Sequence, residues 1–276
     1  MSIITFSQQF PHGDVSSLRG LIFVCFELLY GTRTSPSYVA GLRRVVEMTL
    51  RIHPIALGFD QCYVVQSEGI IAIDAGAPGK GRKFEKGLEK AGIKPEDVKL
   101  ILITHGHWDH IGSAQEMREL TGSAIAMHEC DAHWLEESLK PLSPGITPWG
   151  RLFTSVMKRV MPLINIPATE VDLRLGDEDF PLYEYGIPGS VIHTPGHTYG
   201  SMSVLLDSGE VFVGDLAMNK FPLRLTPGLP IFAVEESKVR DSWRLLLARG
   251  ARTVYPAHGK PFSAEIMRKA LSKTKT

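Results

Sequence analysis

From residue 50 onward, apolar residues come in short runs cut by Gly, Asp and Pro, a pattern that predicts strands alternating with helices. "LRIHPIAL" (50–57), "CYVVQ" (62–66) and "IIAID" (70–74) read as short strands. "KGRKFEKGLEKAG" (80–92) is a charged helix with Phe84, Leu88 and Ala91 on one face, stopped by Gly92. "KLILIT" (99–104) has no polar interruption beyond its first residue and predicts a strand buried on both faces. A helix over 111–120 and a strand over 123–128 follow, then strands at 190–194, 201–207, 210–215 and 252–259. Two helices, 234–250 and 264–271, complete the pattern; the first carries acids early and arginines late, as the helix dipole prefers.

The stretch 129–168 differs. Trp134, Leu135, Leu139, Trp149, Phe153, Met157 and Met161 predict helix, and Pro141, Pro144, Pro148 and Pro162 interrupt it. Upstream, "GLIFVCFELLYG" (20–31) is apolar but too short to span a bilayer, carries Glu27 and precedes no small-residue cleavage site. It reads as a buried segment of an N-terminal extension.

Composition changes little in this picture. The 276 residues suit one large domain, and thirty basic residues balance thirty acidic ones, so no global field draws in nucleic acid or a membrane. The expected partner is a small-molecule substrate. Cys25, Cys62 and Cys130 are scattered and odd in number, which fits a reducing cytoplasm rather than a disulfide framework.

The chemistry lies where strands end. "LILITHGHWDHIGS" (100–113) places His105, His107, Asp109 and His110 within six positions after an apolar run. In extended chain, residues two apart face the same way, so His105 and His107 converge while Trp108 faces elsewhere. Asp109 and His110 then begin a helix beside them. Imidazoles and a carboxylate meeting at a strand end suit a borderline metal such as zinc. Three further strand ends carry ligand types: "HTPGHTYGS" with His197, "VFVGDLA" with Asp215 and "VYPAHG" with His258.

These residues resemble the signature of the metallo-β-lactamase superfamily, a His-x-His-x-Asp-His run followed by a His, an Asp and a final His. "IIAIDAG", with Asp74 at a strand end, resembles the family's first motif, and the likeness covers roughly residues 50–262. The resemblance implies a four-layer αββα α/β fold, two mixed sheets with helices outside and metals at one edge. It implies that His105, His107 and His197 bind one metal, that Asp109, His110 and His258 bind a second, and that Asp215 bridges them. Asp74 would orient the ligands by hydrogen bonds. Two Zn²⁺ ions, or iron or manganese in their place, would hold a bridging hydroxide for hydrolysis of an ester, thioester, lactone or phosphoester, with Asp109 essential to catalysis.

Departures from subfamilies narrow the substrate. The superfamily's β-lactamases usually lack the aspartate matched by Asp215. Glyoxalase II enzymes share the full site, but only eighteen residues follow His258, where their glutathione-binding helical domain would lie. "GDLAMNKF" lacks the tyrosine of quorum-signal lactonases, and the neutral charge balance argues against nucleases. A small, largely apolar ester, thioester or lactone is the expected substrate. A mononuclear iron persulfide dioxygenase and a low-turnover metal-bearing binding protein are the alternatives.

Residues 131–168 read as an insertion that caps the metals. Phe221, Leu223, Leu225 and Phe232 would form the opposite wall; Lys220 and Arg224 read first as ordinary surface cations, with contact to an anionic substrate group as the alternative. His128 and His193 read as packing residues or supports beside the site, and Cys130 as structural. Residues 48–276 are the expected domain; 1–47 is an extension making homodimer contacts or packing over it, or an upstream start on a shorter protein.

Overall fold

The computed structural model describes residues 50–273, all within one compact unit; the readings made for residues 1–47, with Cys25 and the stretch 20–31, lie outside them. Twelve strands are named among the described residues, in two six-stranded sheets. The first sheet is β1 (Arg51–Ala56), β2 (Gln61–Gln66), β3 (Ile70–Ile73), β4 (Val98–Leu102), β5 (Ala124–His128) and β6 (Leu173–Leu175), in that order. The second runs β12 (Phe262–Ser263), β11 (Thr253–Tyr255), β10 (Glu210–Phe212), β9 (Met202–Leu206), β8 (Gly189–His193), β7 (Phe180–Pro181). Both are mixed: β3 to β6 are parallel, as are β10 and β11, and the other pairs are antiparallel.

Side-chain alternation decides the layers. Leu100 and Leu102 of β4 join Val65, Ile73, Val204 and Phe212 between the sheets. Ile101 and Ile103, one residue out of phase, face outward onto Phe84, Leu88 and Met117. Those three come from α1 (Gly81–Ala91) and α3 (Ala114–Thr121), with the short α2 (Trp108–Ile111) between them in sequence. On the far side Val211, Val239, Trp243, Leu246 and Met267 pack α6 (Glu236–Ala248) and α7 (Glu265–Ser272) onto the second sheet. The result is the expected αββα stack, with β4 buried on both faces.

The region 129–168 is helix in two pieces, α4 (Glu129–Glu136) and α5 (Pro148–Val160), joined by irregular chain holding Pro141 and Pro144. Pro148 opens α5 at a position whose amide would be unpaired anyway, and Thr147 Oγ1 caps it by accepting the Gly150 amide at 2.9 Å. No described helix is long and apolar enough to cross a membrane.

Candidate metal centre

The parallel pairs β3/β4 and β10/β11 deliver their carboxyl ends to one edge, where Asp74, the 105–110 run, Asp215 and His258 follow them; the loop after β8 adds His197. Local backbone aims these groups. Asp74 sits at φ 63°, a left-handed conformation costly for a side chain other than glycine and characteristic of functional sites. Gly106 separates the first two histidines because a Cβ there would stand 2.3 Å from the Trp134 ring. Gly214, at φ 50°, turns the chain after β10 so that Asp215 faces inward.

His105 Nε2, His107 Nδ1 and His197 Nε2 converge to 3.0, 3.2 and 2.9 Å of one another. The other nitrogen of each ring explains what lies between them. Thr104 Oγ1 donates its proton to Asp74 at 2.9 Å and so accepts from His105 Nδ1 at 3.2 Å. Ser143 Oγ donates to the His197 carbonyl at 2.7 Å and accepts from His107 Nε2 at 3.2 Å. His197 Nδ1 donates to the Phe232 carbonyl at 2.9 Å. Each ring's proton is thus held on its outer nitrogen, and three bare lone pairs face one another. Burial reinforces this: it drives His105 well below the usual histidine range, His107 down to about 3, and His197 down as well. Three neutral imidazoles with lone pairs on one point fit a cation.

A second set adjoins it. His258 Nε2 lies 3.3 Å from Asp109 Oδ2 and 3.3 Å from Asp215 Oδ1, while its Nδ1 donates to the Phe59 carbonyl at 3.2 Å. His110 Nε2 lies 3.4 Å from the same Asp215 oxygen, and its Nδ1 is 3.0 Å from Asp74 Oδ2. Neither His110 nitrogen nor Asp215 Oδ1 makes a well-directed hydrogen bond although all are buried, the condition expected of atoms shaped for an ion. Asp215 presents Oδ2 to His197 at 3.6 Å and Oδ1 to the second set, so one carboxylate spans both. Protonation differs between the sets. Burial opposes the charge on His258, but Asp215 and Asp109 outweigh it and push it up to about 9; Asp74 and Asp215 raise His110 likewise. A cation entering the second set displaces protons, and one entering the first does not. In the metal-free protein the His258 pairing stabilises the fold fully below the ordinary histidine pKa and is lost as pH rises through about 9.

All eight residues singled out in the sequence meet here. Others do not. Arg224 donates to the carbonyls of Thr226 and Leu229, and Lys220 to those of Gly58 and Phe59, so both serve an irregular loop rather than facing substrate. His128, Asp177 and His193 form a separate cluster, with the two rings stacked at 4.1 Å. His128 Nδ1 accepts the Cys130 amide at 3.2 Å, so its proton sits on Nε2 and points at Asp177, a donor rather than a ligand. Burial and the neighbouring Asp131 push the Cys130 thiol up, against a nucleophilic role.

Two carboxylates escaped the sequence reading. Asp131 is fully buried and accepts from the Gly106 amide at 3.0 Å, Thr198 Oγ1 at 2.7 Å and the Gly200 amide at 3.1 Å, tying together the loops that carry His105, His107 and His197. Asp60 is buried beside Asp109, His110 and His258 with neither oxygen hydrogen-bonded, and burial raises its pKa. An acid near the metal run was the available signal for neither: one stands on a helix 25 residues past Gly106, the other in a turn before β2.

A pocket opens above the second set, lined by Phe59, Leu142, Phe153, Met157, Leu223 and Phe232 around His107, Asp109, Asp215 and His258. Phe153 and Met157 come from α5, so the insertion does reach over the second ligand set. Trp149 does not: it is 44% exposed, with Nε1 on the Pro222 carbonyl.

Comparison with known proteins gives the same frame. The model of the metallo-β-lactamase superfamily matches residues 57–258. A probable metallo-hydrolase, YqgX of Bacillus subtilis, is 27% identical over 155 residues, 56% of this chain and 64% of its own length. A hydroxyacylglutathione hydrolase of Cereibacter sphaeroides is 31% identical over 132 residues, 47% of this chain and 38% of its own. The crystal structure of the BLEG-1 B3 metallo-β-lactamase superposes with a TM-score of 0.60 at 21% identity, covering 82% of this chain and all of its own, a likeness of fold.

Proposed function

The chain belongs to the metallo-β-lactamase superfamily, and on that footing we propose that it is a binuclear, zinc-dependent hydrolase of small, largely apolar esters, thioesters or lactones. One observation carries the two-ion reading: Asp215 turns one oxygen to each of two adjacent ligand sets, His105–His107–His197 and Asp109–His110–His258. Imidazole and carboxylate donors suit zinc, and iron and manganese are accepted by the same types. Bound there, such ions supply a water nucleophile near neutral pH and polarise the attacked bond.

The protein's own part is to position and to exclude water. Thr104, Ser143 and the Phe232 carbonyl each fix one ring of the first set, and Asp74 holds Thr104 through its amide and hydroxyl at 2.8 and 2.9 Å. Leu142, Phe153, Met157, Leu223 and Phe232 give the substrate an apolar wall. The likeness to the hydroxyacylglutathione hydrolase adds support for the thioester class.

A panel of esters, thioesters, lactones and phosphoesters of graded acyl length, assayed on metal-loaded protein, tests this reading. Phe153→Ala is expected to raise KM for the longer acyl chains about tenfold, equivalent to roughly two buried methylenes, with metal content unchanged. Equal kinetics across chain lengths in parent and variant would remove the apolar-substrate assignment, and turnover of phosphoesters alone would replace it.

A further inference from the structure

Ten large hydrophobic side chains are exposed among the described residues, and seven of them fall on α5, the turn after it and one adjoining loop. Trp149, Leu152, Val156, Val160 and Leu163 follow one another at intervals of three or four along α5 and the turn after it, one continuous stripe. Phe221 and Leu225 stand on the adjoining loop, which Trp149 Nε1 holds through the Pro222 carbonyl at 2.8 Å. Leu163, Phe221 and Leu225 are 84, 74 and 82% exposed, so they protrude rather than line a groove. Phe153 and Met157, on the flank of this stripe, line the pocket, and the Phe153 ring meets that of Trp149 with centroids 6.5 Å apart.

Charge segregates with this face. Residues 138–169 contain Lys140, Arg151, Lys158 and Arg159 and no carboxylate, and residues 216–234 likewise contain only cations, Lys220 and Arg224. Arg151, Lys158 and Arg159 are exposed and join no ion pair among the described residues. Elsewhere arginines do pair: Arg118 with Asp172, Arg174 with Glu136, Arg244 with Asp241. The overall balance of charge, which in the sequence argues against a membrane, averages over this separation.

We propose that α5 and the 221–225 loop dock this protein on an anionic lipid bilayer, with the pocket mouth beside the lipid. Protruding apolar tips enter the acyl boundary while Arg159, which borders the stripe, and the long side chains of Arg151 and Lys158, on the adjoining exposed flank of the same helix, reach lipid phosphates. A second copy fits this face less well, because a twofold interface would bring the same uncompensated cations together. The docking is independent of the reaction the metal centre performs.

Full-length protein sedimented with vesicles of phosphatidylcholine alone, or mixed with phosphatidylserine, tests this. Partitioning is expected to be at least about tenfold stronger on the anionic vesicles and to weaken with salt. Leu152→Asp/Val156→Asp and Lys158→Glu/Arg159→Glu are each expected to reduce it about tenfold, with circular dichroism and Tm unchanged. Equal binding to both vesicle types, or parent-like binding by both variants, would overturn the proposal. So would a dimer in sedimentation velocity that Leu152→Asp/Val156→Asp dissociates, which would make a second copy the occupant.

Discussion

Asp109→Ala is expected to lower kcat/KM by about three orders of magnitude, roughly 4 kcal/mol of transition-state stabilisation, while the fold survives. Asp109 begins α2 with Oδ2 3.3 Å from His258 Nε2, and it belongs to none of the apolar clusters. Its removal leaves His110, His258 and one Asp215 oxygen, too few donors to hold an ion firmly beside the first set. Steady-state kinetics paired with metal analysis reads the effect. Hydrolysis within a few-fold of the parent, with only one ion per chain bound, would mean that the second set is not needed.

Asp131→Ala should harm both stability and metal binding. Its carboxylate is fully buried and satisfies three donors, on Gly106, Thr198 and Gly200. Truncation strands those donors; with unsatisfied buried groups costing about 1–3 kcal/mol each and partial relaxation, a loss of about 3 kcal/mol is expected. Because the three donors flank His105, His107 and His197, affinity at the first set should fall about 10–100-fold, the usual cost of losing a support for metal ligands. Asp131→Asn should fall between, since its amide group must face the Gly200 N–H. Denaturant titration and competition with a chromophoric chelator separate the two effects. A stability loss with unchanged affinity would leave Asp131 a purely structural residue.

The contrast between Asp131 and Asp109 shows what a sequence exposes. Asp109 stands in a run of ligand types at a strand end, so residue type and spacing mark it. Asp131 works through bonds to residues 25 and more positions away, and nothing beside it in the chain records them. Ser143 and Thr104 are hidden in the same way: each is an ordinary hydroxyl until the fold brings a histidine ring to it. The strands legible in advance were those long enough to show a pattern, β4 above all. β7 and β12, two residues each, are defined only by their partners in the sheet. In α5 the limit is position along the axis rather than helical phase. Trp149, Phe153 and Met157 stand four residues apart and share one side of the helix, yet only the latter two line the pocket, because Trp149 lies in the first turn, beyond the pocket's rim, with Nε1 on the Pro222 carbonyl.

The two-ion claim is tested most directly by titrating metal-free protein with zinc while hydrolysis is followed. Little activity is expected after the first equivalent, which fills three neutral imidazoles, and full activity only with the second. That second step should also bind more tightly near pH 9 than near pH 6, because His110 and His258, the latter with its pKa pushed up to about 9, must shed protons to admit the ion. Full hydrolysis at one equivalent, or iron-supported oxygen uptake in place of hydrolysis, would contradict it.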